Sequence, residues 1–164
     1  MKNMISILIF CLFVSSNVTA QTPAQTIPVF DFYRFDKTAF TNKNVTPGKM
    51  SFFMFFDCDC DHCQHAMANL NQYFAEYKKA TIYLISLDDQ QKINAFMIKY
   101  APDIKGQKNV TMLQDSKNEF ITRFGPRKYP SMFLYDTNKK LLGYEDNPDN
   151  MFRFLKQLEA SGKK

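Results

Sequence analysis

The sequence predicts an α/β fold: a three-layer α/β/α sandwich on one mixed β-sheet, extended by a β-hairpin at its N-terminal side. Three observations carry this expectation. Residues 50–56 (MSFFMFF) and 81–87 (TIYLISL) are short, unbroken apolar runs, as expected of strands covered on both faces. Each is followed by a stretch whose apolar residues recur at helical spacing, the alternation that builds a parallel sheet. Late in the chain, strand-like runs at 131–135 and 140–144 flank the polar turn DTNK, which adds antiparallel strands to that centre.

The elements follow in order. Lys2, an apolar run at 4–14 and the small-residue pattern VTA at 18–20 read as a cleaved secretory signal over residues 1–20. The run is too short for a membrane-spanning helix, which takes about 20 apolar residues. Cys11 invites a lipoprotein reading, but bulky Phe10 precedes it where lipoprotein processing takes a small residue. One mature domain is therefore expected over residues 21–164, periplasmic or secreted. After the polar leader QTPAQTIP, residues 29–42 carry β-type aromatics around a turn near Asp36 and Lys37, a hairpin pattern. The strand at 50–56 leads into a helix expected from about 60 to 79, with Cys63, Met67, Leu70, Phe74 and Tyr77 on one stripe. The strand at 81–87 leads into a helix carrying Ile93, Phe96, Met97 and Tyr100, and VTMLQ near 110 is the next strand. Ser116 and Glu119 have the spacing of a capping box for a short helix that stops at Gly125. Asn147 and Pro148 open the last helix, with Met151, Leu155 and Leu158 inward.

A 45% hydrophobic fraction with 17 Phe is ample for one core. The net charge of +5 is scattered over many Lys rather than gathered on one face, which argues against a nucleic-acid partner. Of the four Cys, loss of Cys11 with the signal leaves Cys58, Cys60 and Cys63. That number is odd, so one thiol stays free, pairs between chains or takes part in exchange.

Those three lie in residues 52–67 (FFMFFDCDCDHCQHAM), where the end of a buried strand meets the start of a helix. A closed zinc site takes four ligands, usually from two separated pairs, whereas every candidate here falls within eight residues. On a helix His62 and His65 share a face while Cys63 points with the core stripe, so the ligands diverge; soft copper is the best metal candidate. A structural bridge from Cys60 to Cys63 closes a loop too small to stabilise much. Redox exchange uses the spacing better. Cys60 at a helix N-terminus meets unpaired N–H groups and the positive end of the dipole, which favour its thiolate, and Cys63 one turn inward is placed to resolve the mixed disulfide. Protonated His62 favours that thiolate, and Asp57, Asp59 and Asp61 oppose it. If the strand still runs at Cys58, that residue faces the same way as Cys60. It is then either a third exchanging thiol or a small, weakly reactive residue. The chemistry calls for no organic cofactor.

A second feature completes a pattern. Residues 128–136 (KYPSMFLYD) place a proline immediately before an apolar strand, late in the chain. With FFDCDCDHC before it and a terminal helix after it, the chain resembles the thioredoxin superfamily. The extra strand and helix between motif and proline, and the N-terminal hairpin, make it similar to the secreted TlpA/ResA-like redoxin branch. The resemblance implies that Cys60 is the attacking cysteine, Cys63 the resolving cysteine and Pro130 a cis-proline beside them, with Tyr129 tuning potential and substrate contact. It implies thiol–disulfide exchange with protein thiols or disulfides, and a membrane redox partner is a further candidate. The chain departs from the pattern at Asp59, where a Trp precedes the motif in the family, and at Met54, where thioredoxins bury an aspartate. No PxxxTxxC segment is present, which argues against a peroxiredoxin. The alternative function is a thioredoxin-like module that holds or delivers copper.

Overall fold

The computed structural model describes residues 21–161; the signal segment expected over 1–20, with Cys11, lies outside the described residues. The strands are β1 (Asp31–Tyr33), β2 (Ala39–Thr41), β3 (Met50–Phe55), β4 (Ala80–Ser86), β5 (Val110–Gln114), β6 (Ser131–Tyr135) and β7 (Leu141–Glu145). The helices are α1 (Asp61–Gln72), α2 (Phe74–Tyr77), α3 (Gln90–Tyr100), α4 (Glu119–Phe124) and α5 (Phe152–Ser161), with a 3₁₀ turn at Pro148–Asn150 before α5. One seven-stranded sheet has the order β2-β1-β5-β4-β3-β6-β7. Its centre, β5-β4-β3, is parallel, and the hairpin β1–β2 and the pair β6–β7 extend it with antiparallel strands. This is the mixed thioredoxin-like α/β architecture, with the N-terminal hairpin the sequence predicts.

The apolar runs follow from burial on both faces. Every residue of β3, β4 and β6 is buried. Successive side chains on a strand point to opposite faces, so β3 feeds two cores. Phe52 and Met54 pack toward α1, α3 and α5, whereas Phe53 and Phe55 pack with the hairpin and α4. The second core is mostly aromatic, with Ile27, Val45, Ile85 and Leu113 among the rings. Phe120 stacks on Phe124 at 4.2 Å and on Phe55 at 4.5 Å, and Phe30 stacks on Phe32 at 4.4 Å.

Three local expectations need correction. The single helix expected to about residue 79 is broken at Tyr73, which leaves helical geometry at φ −103°, ψ 24°. The buried stripe survives the break, and Tyr77 at its end donates to the Met151 carbonyl at 3.2 Å. The capping box at Ser116 does not form. Asn118 takes a left-handed conformation at φ +56°, and the buried carboxylate of Asp115 accepts instead from the N–H groups of Glu119 (3.0 Å) and Phe120 (2.7 Å). A carboxylate at a helix start makes charge-assisted bonds that a serine hydroxyl cannot match. Glu119 is thereby free to accept from the Asp31 N–H at 3.1 Å, tying the hairpin to α4. Finally, Asn147 and Pro148 open the 3₁₀ turn rather than α5 itself, and Phe154 joins Met151 and Leu158 as the fully buried contacts of that segment while Leu155 is only half-buried. The stop at Gly125 is as expected: it sits at φ +64°, where a Cβ would run into the Thr22 carbonyl.

Candidate active site

The last sheet bond of the β3 side is Phe56 N–H to Ile85 O at 3.0 Å. Beyond it each amide up to Cys60 finds its own acceptor. Asp57 N–H points at Cys63 Sγ (3.4 Å), Cys58 N–H donates to Asp88 Oδ2 (2.9 Å), Asp59 N–H to Asp57 Oδ1 (2.8 Å), and Cys60 N–H to Asp57 O (3.3 Å). The loop is therefore a defined turn that delivers Cys60 to the N-cap of α1. Cys60 is extended at φ −84°, ψ 117°, and its carbonyl accepts from Cys63 N (2.9 Å) and Gln64 N (3.0 Å). No side chain caps the helix start. The half-buried Cys60 sulfur stands at that positive end.

Cys63 is fully buried one turn inward. Burial, above all, pushes its thiol well above the ordinary value, and the Asp57 N–H pulls the other way. The two sulfurs thus stand in unequal places: Cys60 half-buried at the helix N-terminus, and Cys63 fully buried one turn inward, where the neutral thiol is favoured.

The second wall is the β6 entry. The Tyr129–Pro130 peptide is cis, as the resemblance implies, and Pro130 is buried. The half-buried Tyr129 ring packs on Phe55 at 4.8 Å, and its hydroxyl is pushed up to about 12, chiefly by burial. This loop is held by Tyr144, whose hydroxyl meets Ser131 Oγ at 2.8 Å and accepts from Arg127 N at 3.0 Å. Between the walls runs an open cavity of about 370 Å³ lined by His62, His65, Lys128, Tyr129, Asp146 and Pro148, among others. His62 is exposed where it lines this cavity, and Asp61 before it is exposed but outside the lining.

The strand ends at Phe55, so the condition under which Cys58 would face the same way as Cys60 is not met, and Cys58 is buried with its amide on Asp88. Met54 is buried in β3 between Leu84 and Met132, with no carboxylate in its place. Among the described residues no group of three or more His, Cys, Asp or Glu side chains is arranged to hold a metal ion. The residues missed in the sequence are Asp88, Lys92 and Tyr144. The doubled aspartate in SLDD held a signal: Asp89 alone caps α3 by accepting from Lys92 N at 2.8 Å, so Asp88 is spare.

These thiols fix a pH dependence. Burial raises Cys58 and Cys63 above their ordinary 9.0 in the folded protein, so above that pH the unfolded chain releases protons that the native state keeps. Their contribution to stability is complete below about pH 9 and is lost as pH rises toward the folded values. Urea midpoints of the reduced protein should therefore fall above about pH 9. Bridging Cys60 to Cys63 removes one titrating buried thiol and should make that fall shallower.

A family model described as the AhpC/TSA family matches residues 23–143. No curated protein matches the chain. Among solved structures, a secreted Mycobacterium tuberculosis disulfide oxidoreductase homologous to Escherichia coli DsbE superimposes with a TM-score of 0.64 at 19% identity, over 80% of this chain and 95% of that one. A thiol-disulfide oxidoreductase from Bacteroides fragilis gives 0.65 at 19% identity, over 81% and 98%. A peroxiredoxin-like protein from Aquifex aeolicus gives 0.62 at 14% identity, over 84% and 87%. At these identities the likeness speaks for the fold. The family model spans most of the chain, from residue 23 to 143, and on that match the chain, with its thioredoxin-like fold, belongs to the AhpC/TSA family.

Proposed function

We propose that this protein is an extracytoplasmic thiol–disulfide oxidoreductase that exchanges disulfides with protein substrates through Cys60 and Cys63. The observation that carries the reading is the unequal placement of the two sulfurs: Cys60 half-buried at an uncapped helix N-terminus, and Cys63 fully buried one turn inward with the Asp57 N–H on its sulfur. In the reducing direction the Cys60 thiolate attacks one sulfur of the substrate disulfide. A Cys60–substrate bond forms, and the other substrate sulfur leaves as a thiolate that takes a proton from water. Cys63 then gives its proton to solvent, and the Asp57 N–H already pointing at its sulfur meets the developing charge. Its thiolate attacks Cys60 Sγ, the second substrate sulfur leaves, and the protein holds the two-electron oxidised pair. Tyr129 and Pro130 present the backbone along which the substrate lies, with His62 at the rim.

The predicted signal and the secreted structural neighbour support an extracytoplasmic place, where protein disulfides persist. No helix of the described residues is long and apolar enough to cross a membrane. The test is insulin reduction with dithiothreitol as electron source, run beside hydrogen peroxide consumption. The reading expects catalysed insulin precipitation and no peroxide turnover above dithiothreitol alone; the opposite pair of results would replace it with a peroxidase.

A further inference from the structure

Cys58 lies two residues before the nucleophile, at 7% exposure, beside a dithiol whose chemistry is complete without it. A third thiolate there would attack the Cys60–Cys63 bridge or the mixed disulfide and divert the reaction. Its surroundings oppose that. Asp88, two residues past β4, takes the Cys58 N–H on Oδ2 at 2.9 Å, which holds a carboxylate against the cysteine. The same oxygen accepts from Ser86 Oγ at 3.1 Å, and Oδ1 from Lys92 Nζ at 2.8 Å. Lys92 reaches on to Asp59 Oδ2 at 2.7 Å, next to Cys60. The carboxylate side chain is only 17% exposed and has no part in capping α3, which Asp89 does. Burial keeps the proton on the Cys58 sulfur, and the carboxylate held beside it acts in the same direction. The nearby Lys92 charge favours the thiolate, but its ammonium is committed to the two carboxylates.

We infer that Asp88, fixed by Lys92 and Ser86, is a positioning residue that withholds Cys58 from thiol exchange and so commits the protein to the Cys60–Cys63 pair. The inference rests on the exchange reading above and deepens it. Asp88→Ala removes the bond to the Cys58 N–H and the charge beside its thiol; Asp88→Asn keeps the size and an oxygen for the Cys58 N–H while removing the charge, so it tests the role even if the alanine variant fails to fold. The measurement is iodoacetamide labelling of each cysteine in the folded, reduced full chain at pH 8, resolved by peptide mapping, together with the bridges formed in glutathione buffer. Cys63 is the internal control, being buried as Cys58 is.

Labelling of Cys58 should rise about tenfold in Asp88→Ala and about threefold in Asp88→Asn with Cys63 unchanged, and Cys58 should enter bridges or glutathione adducts. Labelling of Cys58 unchanged in both variants, or rising equally with Cys63 as a general loosening would make it, would overturn the inference. A lower unfolding temperature with an unchanged cysteine pattern would likewise reduce Asp88 to a structural residue. Failure of the exchange reading is distinguishable, since the wild-type protein would then form no Cys60–Cys63 bridge in the same buffers.

Discussion

Cys60→Ser should abolish catalysed disulfide exchange, with insulin reduction falling by at least about a hundredfold to the rate of dithiothreitol alone. Serine keeps the extended N-cap geometry and offers a side-chain oxygen to the open N–H groups of α1, so the fold is expected to persist or gain slightly. What is lost is the sulfur at the positive helix end. Cys63 cannot take over, because it is fully buried and its thiolate is disfavoured there. Thermal unfolding measured beside the activity separates loss of chemistry from loss of structure. A Cys60→Ser protein that reduced insulin at the wild-type rate would move the nucleophile elsewhere.

The second large effect lies beneath the site. Phe120 is fully buried on α4, with its ring against Phe32, Phe55, Phe124 and Phe133. Phe120→Ala should cost about 3–5 kcal/mol, because a stacked aromatic cluster cannot close around the void. The damage also has a functional direction. Phe55 rests between Phe120 and Tyr129, so the cavity removes the support of the ring beside the cis-proline. Urea unfolding should show the stability loss, and exchange by the remaining folded protein should weaken as the Tyr129 wall loosens. A loss below about 1 kcal/mol would show that the cluster repacks, and that the aromatic core does not carry the fold.

Much of this arrangement is written locally. The unbroken runs at β3 and β4 need two covering layers, and the layers are there. The stripe from Cys63 to Tyr77 found the buried face of α1 and α2 even though the helix breaks at Tyr73, since packing depends on which residues point inward more than on unbroken hydrogen bonding. The site was readable where its parts are contiguous, from Cys58 to Cys63, and where one residue type announces itself, at Pro130. It was not readable where the partner comes from another element. Asp88 reaches the cysteine loop from the β4–α3 connection, Lys92 from the first turn of α3, and Tyr144 reaches the cis-proline loop from β7; the doubled aspartate marks Asp88 as spare, but nothing in the local pattern says what any of the three would meet. The same holds for Asp115, whose carboxylate displaced the expected serine cap because it alone is buried beneath α4. The two readings of Cys58 turned on where the strand ends, which an unbroken apolar run followed by alternating Asp and Cys does not mark.

The central claim is that Cys60 attacks and Cys63 resolves, and the most direct measurement of it is a trap. Reduced Cys63→Ser protein mixed with a disulfide-bonded protein substrate, quenched in acid and mapped by mass spectrometry, isolates the first covalent step, since the group that would release the substrate is gone. The account predicts a stable mixed disulfide through Cys60, with Cys58 still a free thiol beside Asp88. A substrate adduct on Cys58, or no adduct while Cys60 remains a free thiol, would contradict it.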